Sequence, residues 1–327
     1  MIKYGIIGVG SIAYKHIEAI QKIPQIEIKG LCDPQEENIS KILKTYPQLK
    51  GAELFSDYRL LLESPEIDAV LICTPNHTHA EITVNALEAG KHVLCEKPMA
   101  TTVEDCYRMV EMERKSGKVL EIGFKFRYSS LFKTIKKMIE EGKIGKVRII
   151  WASEFRKPFS GSWRKNKEKS GGPLVEESVH FFDLFNWLSG SVPLKVCSFG
   201  GRDVLRDFQG VDNAYILVEY KGGIRANLGF CCFTYPSKFD FLIIGEDGRL
   251  ESNLFSSSII YFDKEGKKEE ISLSPAEAGF LGEHEEFISC IKKGGKPLTS
   301  GEESLKAMLI AFYAEESIKK EEIVSFR

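Results

Sequence analysis

The sequence predicts an α/β protein of two domains, the first built on a parallel sheet and the second on a mostly antiparallel sheet. Three observations support this prediction. The chain has 327 residues, which is more than one domain usually holds. Over the first part of the chain, short apolar runs alternate with amphipathic segments, whereas strand-like runs later follow one another directly. We place the boundary at this change, giving domains 1–123 and 124–327.

In the first domain the apolar runs are typical of buried strands, and they cover residues 4–10, 26–33, 68–75, 91–98 and 119–124. The segments between them have helical periodicity and are flanked by turn or cap residues; they are Ser11–Ile23, Pro34–Tyr46, His79–Ala89 and Thr102–Ser116. Strands that alternate with helices predict a parallel sheet covered by helices on both faces.

The second domain begins with strand-like runs that no long helical segment separates, apart from one helical stretch at 174–188. The strand-like runs cover residues 146–155, 194–201, 213–220, 223–233 and 238–245. Two glycines in the segment 220–224 predict a tight turn between two of these strands, which favours antiparallel pairing. Glu283–Lys292 and Gly301–Lys319 are predicted to be closing helices.

Composition excludes several classes of function. The net charge is -2 and no basic stripe dominates, which argues against a nucleic acid partner. The eight cysteines form no C-x-x-C pair, which leaves zinc-ribbon and thioredoxin-like interpretations without support. We found no leader-like N-terminus and no apolar run of membrane-spanning length, so we expect a cytoplasmic protein with no membrane partner.

The first strand ends in a glycine motif that predicts a dinucleotide site. Gly8 would allow a tight turn, Gly10 would let a pyrophosphate approach the backbone, and Ala13 would permit close packing of helix against strand. The first helical residues, Ser11 and Ile12, would offer their amides to the phosphates at the positive end of the helix dipole.

Asp33 stands at the end of the second strand, about 20 residues beyond the glycine motif, where a carboxylate can bind the ribose hydroxyls. It is followed by Pro34 and Gln35 rather than by a basic residue. Since a carboxylate repels a 2′-phosphate, the sequence predicts NAD(H) in preference to NADP(H).

The stretch 174–188 places Glu176, His180 and Asp183 within one narrow arc of a helix, opposite an apolar face. Charged residues at helical spacing usually form a solvated face with incidental salt bridges. The same arc could instead be the edge of an active site. The spacing would also permit metal ligation, but we expect no metal because dinucleotide chemistry does not require one.

Two further segments, 73–81 and 90–100, include the ends of the predicted strands 68–75 and 91–98. Together with the Gly8 motif and the segment 170–190, they resemble the Gfo/Idh/MocA family of sugar and polyol oxidoreductases over essentially the whole chain. The Glu-Lys-Pro sequence at 96–98 is the most specific of these signatures. The resemblance implies a Rossmann domain followed by an α/β domain with a large open sheet.

The resemblance also implies roles for individual residues. Lys97 would lie near the reacting carbon and would accept or donate a hydroxyl proton. The Lys97–Pro98 peptide bond would be cis, as the corresponding bond often is in the family. His77 and His79 could suggest a metal pair, but they belong to a segment that matches a cofactor loop. The residues that would line the nicotinamide half of the cofactor site are Thr74, Pro75, Asn76, His77, Glu96 and Lys97.

His180 matches the family's histidine, whereas Glu176 replaces the aspartate that usually stands four residues before it. We predict that Lys97 and His180 form the acid–base pair, because desolvation beside a cationic nicotinamide lowers a lysine pKa and histidine titrates near neutrality. Glu176 would orient His180 or contact the substrate. Arg127, Trp163 and Arg164 are further candidates for substrate binding, and each could equally be structural.

The leading hypothesis is an NAD(H)-dependent dehydrogenase or reductase for a sugar, inositol, sugar-nucleotide or related polyol. One alternative is a glycosidase that retains NAD and oxidises its substrate transiently. Another is a non-enzymatic sugar or cofactor sensor on the same fold. An exposed face of the second-domain sheet would favour a homodimer or homotetramer.

Overall fold

The computed structural model describes residues 1–273 and 278–326 and divides into two compact units. The first unit comprises Met1–Lys125 and Phe280–Leu305, and the second comprises Phe126–Gly279 and Lys306–Arg327. The segment Phe280–Leu305 therefore lies in the first unit, although the predicted boundary assigned it to the second domain. Its apolar residues explain the difference, because Phe287 is buried in the same core as Tyr4.

The first unit contains a six-stranded parallel sheet with the strand order of a Rossmann domain, which confirms the predicted parallel sheet and the domain that the resemblance implied, and adds the short strand Glu53–Phe55 to the five predicted strands. The order β3-β2-β1-β4-β5-β6 reverses between β1 and β4, and in such sheets ligands bind beyond the carboxyl ends of the strands at that point. The strands are β1 (Ile2–Ile7), β2 (Ile26–Cys32), β3 (Glu53–Phe55), β4 (Ala69–Ile72), β5 (His92–Cys95) and β6 (Leu120–Ile122).

Five helices connect these strands, and a sixth joins them from later in the chain. Local sequence sets their ends: the Thr102 hydroxyl accepts a hydrogen bond from the Asp105 amide, and Gly117 adopts a left-handed conformation after the last turn. The helices are α1 (Ser11–Ile20), α2 (Glu36–Thr45), α3 (Tyr58–Glu63), α4 (His79–Glu88), α5 (Val103–Ser116) and, after the second unit has begun, α9 (Phe280–Lys293).

The second unit contains a nine-stranded sheet of order β14-β13-β12-β11-β7-β10-β9-β8-β15. β7 and β10 are parallel and the other described pairs are antiparallel, which confirms the predicted mostly antiparallel sheet. The strands are β7 (Val147–Phe155), β8 (Pro193–Gly201), β9 (Asn213–Tyr220), β10 (Arg225–Cys231), β11 (Asp240–Gly245), β12 (Gly248–Asn253), β13 (Ser258–Asp263), β14 (Lys268–Ser272) and β15 (Val324–Ser325).

The helices of this part of the chain are α6 (Ser130–Glu140), α7 (Lys167–Ser170), α8 (Val179–Ser189) and α10 (Gly301–Lys320), the last of which starts in the first unit. The predicted tight turn joins β9 to β10, where Gly222 and Gly223 both have positive φ angles. Among the described residues, no helix is both long and apolar enough to cross a membrane.

The two faces of the second-unit sheet differ. One face is covered by α8, whose Phe181 and Phe185 rings lie 6.5 and 6.1 Å from the ring of Phe241. The other face presents apolar side chains to solvent, and Phe199 is 72% exposed while its cross-strand partner Tyr215 is 63% exposed. An apolar face of this kind in a single chain is typical of a protein–protein contact surface.

Candidate active site

The turn between β1 and α1 has the backbone that the glycine motif predicts. Gly8 has a φ of 85°, and a Cβ there would lie 2.8 Å from the carbonyl carbon and oxygen of Cys73, so only glycine fits. At Gly10, by contrast, a Cβ would meet no atom within 4 Å. Gly10 therefore leaves open space in front of the first turn of α1, where the Ala13 amide donates to the Gly10 carbonyl oxygen at 3.1 Å and the Ser11 and Ile12 amides face no earlier turn of the helix. This cradle fits a dinucleotide pyrophosphate, and Ala13 packs behind it with no exposed surface.

Asp33 lies at the carboxyl end of β2, and its buried carboxylate is held from three directions. One oxygen accepts a hydrogen bond from the Val9 amide at 3.1 Å, within the glycine turn. The other accepts from the Gln35 amide at 2.9 Å and from the Asn38 side chain at 3.1 Å. The carboxylate is therefore fixed beside the turn, with lone pairs left for ribose hydroxyls. Sequence reasoning missed Asn38, which the five-residue spacing on the first turn of α2 could have indicated.

The loop after β4 lies at the same edge of the sheet, because β4 is the neighbour of β1 and Cys73 packs against Gly8. Asn76 is buried here, whereas Pro75 and His77 are exposed. The Thr78 hydroxyl lies 2.7 Å from the Thr74 hydroxyl and 2.8 Å from the Pro75 carbonyl oxygen, which ties the loop to itself.

His79, at the start of α4, does not pair with His77 around a metal. Its two ring nitrogens lie 2.8 Å from the Pro98 carbonyl oxygen and 2.9 Å from the Thr74 carbonyl oxygen. Within the described part of the chain, no group of three histidine, cysteine or acidic side chains is arranged to hold a metal ion.

The Glu96-Lys97-Pro98 turn follows β5 at the same edge, and its Lys97–Pro98 bond is cis, as the resemblance implied. The Glu96 carboxylate is buried, accepts a hydrogen bond from the Lys97 amide at 3.1 Å, and lies 2.9 Å from Nε2 of His16. Burial favours its neutral form, but the contact with His16 and the nearby cations Lys125 and Lys97 outweigh burial and lower the pKa of Glu96 to about 2. The turn therefore carries a fixed negative charge beside the half-buried Lys97.

In the second unit, the arc predicted at 174–188 exists but is not a solvated face. Glu176 is 2%, His180 5% and Asp183 1% exposed. The helix begins as a π-helical turn over Leu174–Ser178 and becomes α-helical at α8. The His180 ring lies 4.6 Å from the ring of Phe126. A buried row of two acids and a histidine at a π-helical turn is typical of a functional site.

Asp183 is paired with Arg127. The guanidinium donates from Nε to one carboxylate oxygen at 2.8 Å and from a terminal nitrogen to the other at 2.6 Å, and both side chains are buried. This geometry is the bidentate fork of an arginine–carboxylate pair, which is strong and directional. Arg127 thus has the structural contact that was one of its two predicted roles, and contact with substrate stays a prediction.

Glu176 lies beside Arg164, whose Nε is 3.0 Å from the carboxylate, and the Arg164 guanidinium stacks 5.1 Å from the centre of the Trp163 ring. The predicted substrate residues Trp163, Arg164 and Glu176 are therefore brought together. Their contact with substrate stays a prediction.

A neighbouring buried carboxyl was missed from sequence. Glu154, near the end of β7, accepts a hydrogen bond from the Ser178 hydroxyl at 2.6 Å and lies 3.3 Å from Arg156, which also pairs with Glu177 at 2.6 Å. Burial raises the pKa of Glu154 to about 7, against the opposing effect of Arg156. The signal was present: Glu154 follows Ile150 and Ala152 at a period of two, on the buried face of the strand.

These features agree with the comparisons with known proteins. Residues 2–124 match the NAD-binding Rossmann fold of the Gfo/Idh/MocA oxidoreductase family, and residues 136–326 match the C-terminal α/β domain of the same family. The chain therefore belongs to the Gfo/Idh/MocA family of oxidoreductases, with an NAD-binding Rossmann domain followed by that family's second domain.

Two individual relatives and one solved structure are similar to most of the chain. The chain is 27% identical to the myo-inositol 2-dehydrogenase of Thermotoga maritima, over 99% of this chain and 98% of that protein. It is 28% identical to an inositol 2-dehydrogenase/D-chiro-inositol 3-dehydrogenase of Lactiplantibacillus plantarum, over 76% of this chain and 71% of that protein. A solved levoglucosan dehydrogenase in complex with NADH and L-sorbose has the same fold, with a TM-score of 0.91 and 23% identity over 100% of this chain and 99% of that one. The named relatives are dehydrogenases that act on CH–OH groups, and this chain is an oxidoreductase of the same family.

Proposed function

We propose that this protein is an NAD(H)-dependent oxidoreductase that transfers a hydride between nicotinamide and a secondary alcohol or ketone of a sugar, inositol, sugar-nucleotide or related polyol. The observation that carries the proposal is the coincidence of two features at one edge of the Rossmann sheet. The open cradle at Gly10 follows β1, and the Glu96-Lys97-Pro98 turn follows β5. A cofactor bound along this edge would extend from the glycine turn towards Lys97.

The cofactor would be held by residues of the first unit. The amides at Gly10, Ser11 and Ile12 would bind the pyrophosphate, Ala13 would allow its close approach, and the carboxylate of Asp33 would accept bonds from ribose hydroxyls. Because Asp33 is already fixed by Val9, Gln35 and Asn38, it would meet a 2′-phosphate with an immobile negative charge. We therefore expect NAD to bind more tightly than NADP. Thr74, Pro75, Asn76, His77 and Glu96 would line the nicotinamide half.

The protein's own part in the chemistry is to position the reacting carbon and to manage a proton. When bound, the nicotinamide accepts or supplies the hydride. Lys97 and His180 would take the hydroxyl proton during oxidation and return it during reduction, and Glu176 would support His180. An acid–base group of this kind is worth about 10² to 10⁴-fold in rate.

The part of the substrate that the second unit contacts would be a neutral polyhydroxy group. Arg164 and Arg156 each lie beside a carboxylate, so the second-unit cluster offers hydrogen-bond donors and acceptors without a surplus of positive charge. Trp163 would stack on a sugar face, and Arg164 and Arg127 would contribute donors. The dehydrogenase relatives with inositol and levoglucosan in their names support this class of substrate.

A single experiment separates the proposal from its two alternatives. Purified protein is incubated with NAD and a panel that includes myo-inositol and levoglucosan, and NADH absorbance is followed. Accumulation of NADH supports the dehydrogenase. Cleavage of an aryl glycoside by protein that retains NAD, without net NADH, would indicate the glycosidase. Ligand binding with neither reaction would indicate a sensor and would overturn the proposal.

We expect a cytoplasmic homodimer or homotetramer assembled through the apolar face of the second-unit sheet. The carrying observation is the exposure of Phe199 and Tyr215 on adjacent strands. Light scattering of the wild-type protein and of a Tyr215→Lys variant tests this assembly. A monomeric wild type would contradict it.

A further inference from the structure

The Glu96-Lys97-Pro98 turn is contacted on both sides of Lys97 by buried histidines, at the Glu96 carboxylate and at the Pro98 carbonyl oxygen. His16, from α1, contacts the residue before the lysine, and His79, from α4, contacts the residue after it. Both histidines are almost fully excluded from solvent. Neither has a place in the cofactor or acid–base roles proposed above.

His16 contacts the turn through one ring nitrogen only. Its Nε2 lies 2.9 Å from Oε1 of Glu96, while its Nδ1 lies 3.0 Å from Nε2 of His284 in α9. The other Glu96 oxygen accepts the Lys97 amide, so the carboxylate joins His16 to the lysine backbone. Gly123 closes the space behind it, because a Cβ there would lie 3.2 to 3.4 Å from Glu96 atoms.

His79 contacts the turn through Nδ1, whereas His16 contacts it through Nε2. Nδ1 lies 2.8 Å from the Pro98 carbonyl oxygen, and Nε2 lies 2.9 Å from the carbonyl oxygen of Thr74 in the neighbouring loop. Burial lowers the pKa of His79, so the ring is neutral near pH 7 and carries one N–H. Protonated at Nδ1, the ring donates to the Pro98 carbonyl oxygen, and its Nε2 side lies against the loop after β4.

We propose that His16 and His79 are positioning residues for Lys97, acting through the carboxylate of Glu96 and the carbonyl of Pro98. A lysine has a long flexible side chain, and its amine reaches a defined point only if the backbone that bears it is fixed. A displacement of about 1 Å at a reacting group can reduce a rate about a hundredfold. The inference rests on the proposed role of Lys97 in the reaction.

Amide substitutions separate the two nitrogens of each ring. The amide nitrogen of asparagine falls near the Nδ1 position of histidine, and that of glutamine falls near Nε2. His16→Gln therefore keeps the donor to Glu96, and His16→Asn loses it. At His79 the pattern reverses, since His79→Asn keeps the donor to Pro98 and His79→Gln loses it.

His92→Gln is the matched control. This histidine is also in the first unit and accepts a hydrogen bond from the Val119 amide through Nδ1. It lies at the amino end of β5, about 13 Å of extended chain away from Glu96. Its substitution should leave both turnover and the turn unchanged.

The first readout is turnover with NAD and either myo-inositol or levoglucosan, with the Kd for NAD measured by fluorescence. His16→Asn and His79→Gln should lower kcat about tenfold to a hundredfold, while His16→Gln and His79→Asn should stay within about threefold of wild type. The Kd for NAD should change less than kcat in all four variants, because the pyrophosphate and ribose contacts at Gly10 and Asp33 are untouched. Equal losses at both substitutions of one histidine, or none, would overturn the inference.

The second readout does not depend on activity. Amide hydrogen exchange of the peptide that contains Lys97, Met99 and Ala100 should accelerate in His16→Asn and His79→Gln but not in their partner variants or in His92→Gln. If the wild-type protein turns over none of the probes, the proposed function fails and exchange alone decides the inference. Unchanged exchange in His16→Asn and His79→Gln would show that the histidines do not hold the turn.

Discussion

The buried pair of Arg127 and Asp183 gives the sharpest energetic prediction. Removing the guanidinium with Arg127→Met takes away the two donors that lie 2.8 and 2.6 Å from the buried Asp183 carboxylate. Breaking such a pair from one side costs about 3 to 5 kcal/mol of unfolding free energy, because the remaining buried charge loses its ion-pair partner. Asp183→Leu should cost a similar amount. Replacing both partners by apolar residues removes both buried charges, so the double variant should lie within about 1 to 2 kcal/mol of wild type.

Denaturant unfolding of the wild type, both single variants and the double variant measures the coupling directly. The two singles should each lower the unfolding free energy by more than the double does. If Arg127→Met costs less than about 1 kcal/mol, the pair is not the buried, desolvated contact described above. The folded double variant also tests the predicted substrate role of Arg127. A raised KM with normal stability would place Arg127 in the substrate site, and an unchanged KM would leave it structural.

Three further predictions concern the cofactor turn and the buried acid of the second unit. Gly10→Ala places a Cβ in open space, so the fold should be unaffected while the Kd for NAD, measured by titration calorimetry, rises at least about tenfold. Gly8→Ala should instead lose folded protein, as thermal melting would show, because its Cβ meets the Cys73 carbonyl. Asp33→Ala should abolish most of the preference for NAD over NADP, measured as a ratio of Kd values. Burial raises the pKa of Glu154 to about 7 from 4.5, so the folded state holds this proton more tightly than the unfolded state does. The contribution of Glu154 to the unfolding free energy therefore falls as pH rises from about 4.5 to 7, at about 1.4 kcal/mol per pKa unit. Glu154→Gln should not show this loss of up to about 3 kcal/mol, as denaturant unfolding of both proteins at pH 5 and pH 8 would show.

Each of these predictions has an outcome that contradicts it. Normal NAD affinity in Gly10→Ala would mean that the pyrophosphate does not lie over the first turn of α1. Tighter binding of NADPH than of NADH by the wild type would remove the proposed role of Asp33. If wild type and Glu154→Gln show parallel stability between pH 5 and pH 8, the carboxyl is already ionised over that range.

The Rossmann half was predictable because its information is local. The glycine turn, the strand that precedes it and Asp33 at the end of the next strand lie within 33 residues, and the period of apolar residues changes visibly between strand and helix. Gly8 illustrates the strength of such a signal, because its positive φ angle and its contact with Cys73 allow no other side chain. The parallel sheet followed from the alternation of strands and helices alone, and the Rossmann domain was implied by the resemblance.

What could not be predicted depends on partners far away in the chain. From sequence, the arc of Glu176, His180 and Asp183 is compatible with a solvated helix face. The structure shows that Arg127, 56 residues from Asp183, forms a buried ion pair with that residue. The π-helical turn at Leu174–Ser178 also has no periodic signature. Similarly, His284 reaches His16 across 268 residues, and the helix that carries it lies in the first compact unit, whereas the predicted boundary placed it in the second domain. Because these polar residues are buried, they contact partners within the protein rather than solvent, and composition does not reveal burial.

The most direct test of the account is NADH formation by the wild-type protein and by its Lys97→Ala and His180→Ala variants on the polyol or sugar that the panel identifies. The proposed function predicts NADH in step with substrate oxidised by the wild type, and a loss of about 10² to 10⁴-fold in kcat in each variant with the Kd for NAD largely kept. Near-normal turnover in both variants would contradict the assigned acid–base pair. Absence of any NADH from the wild type across the whole panel would contradict the proposed dehydrogenase.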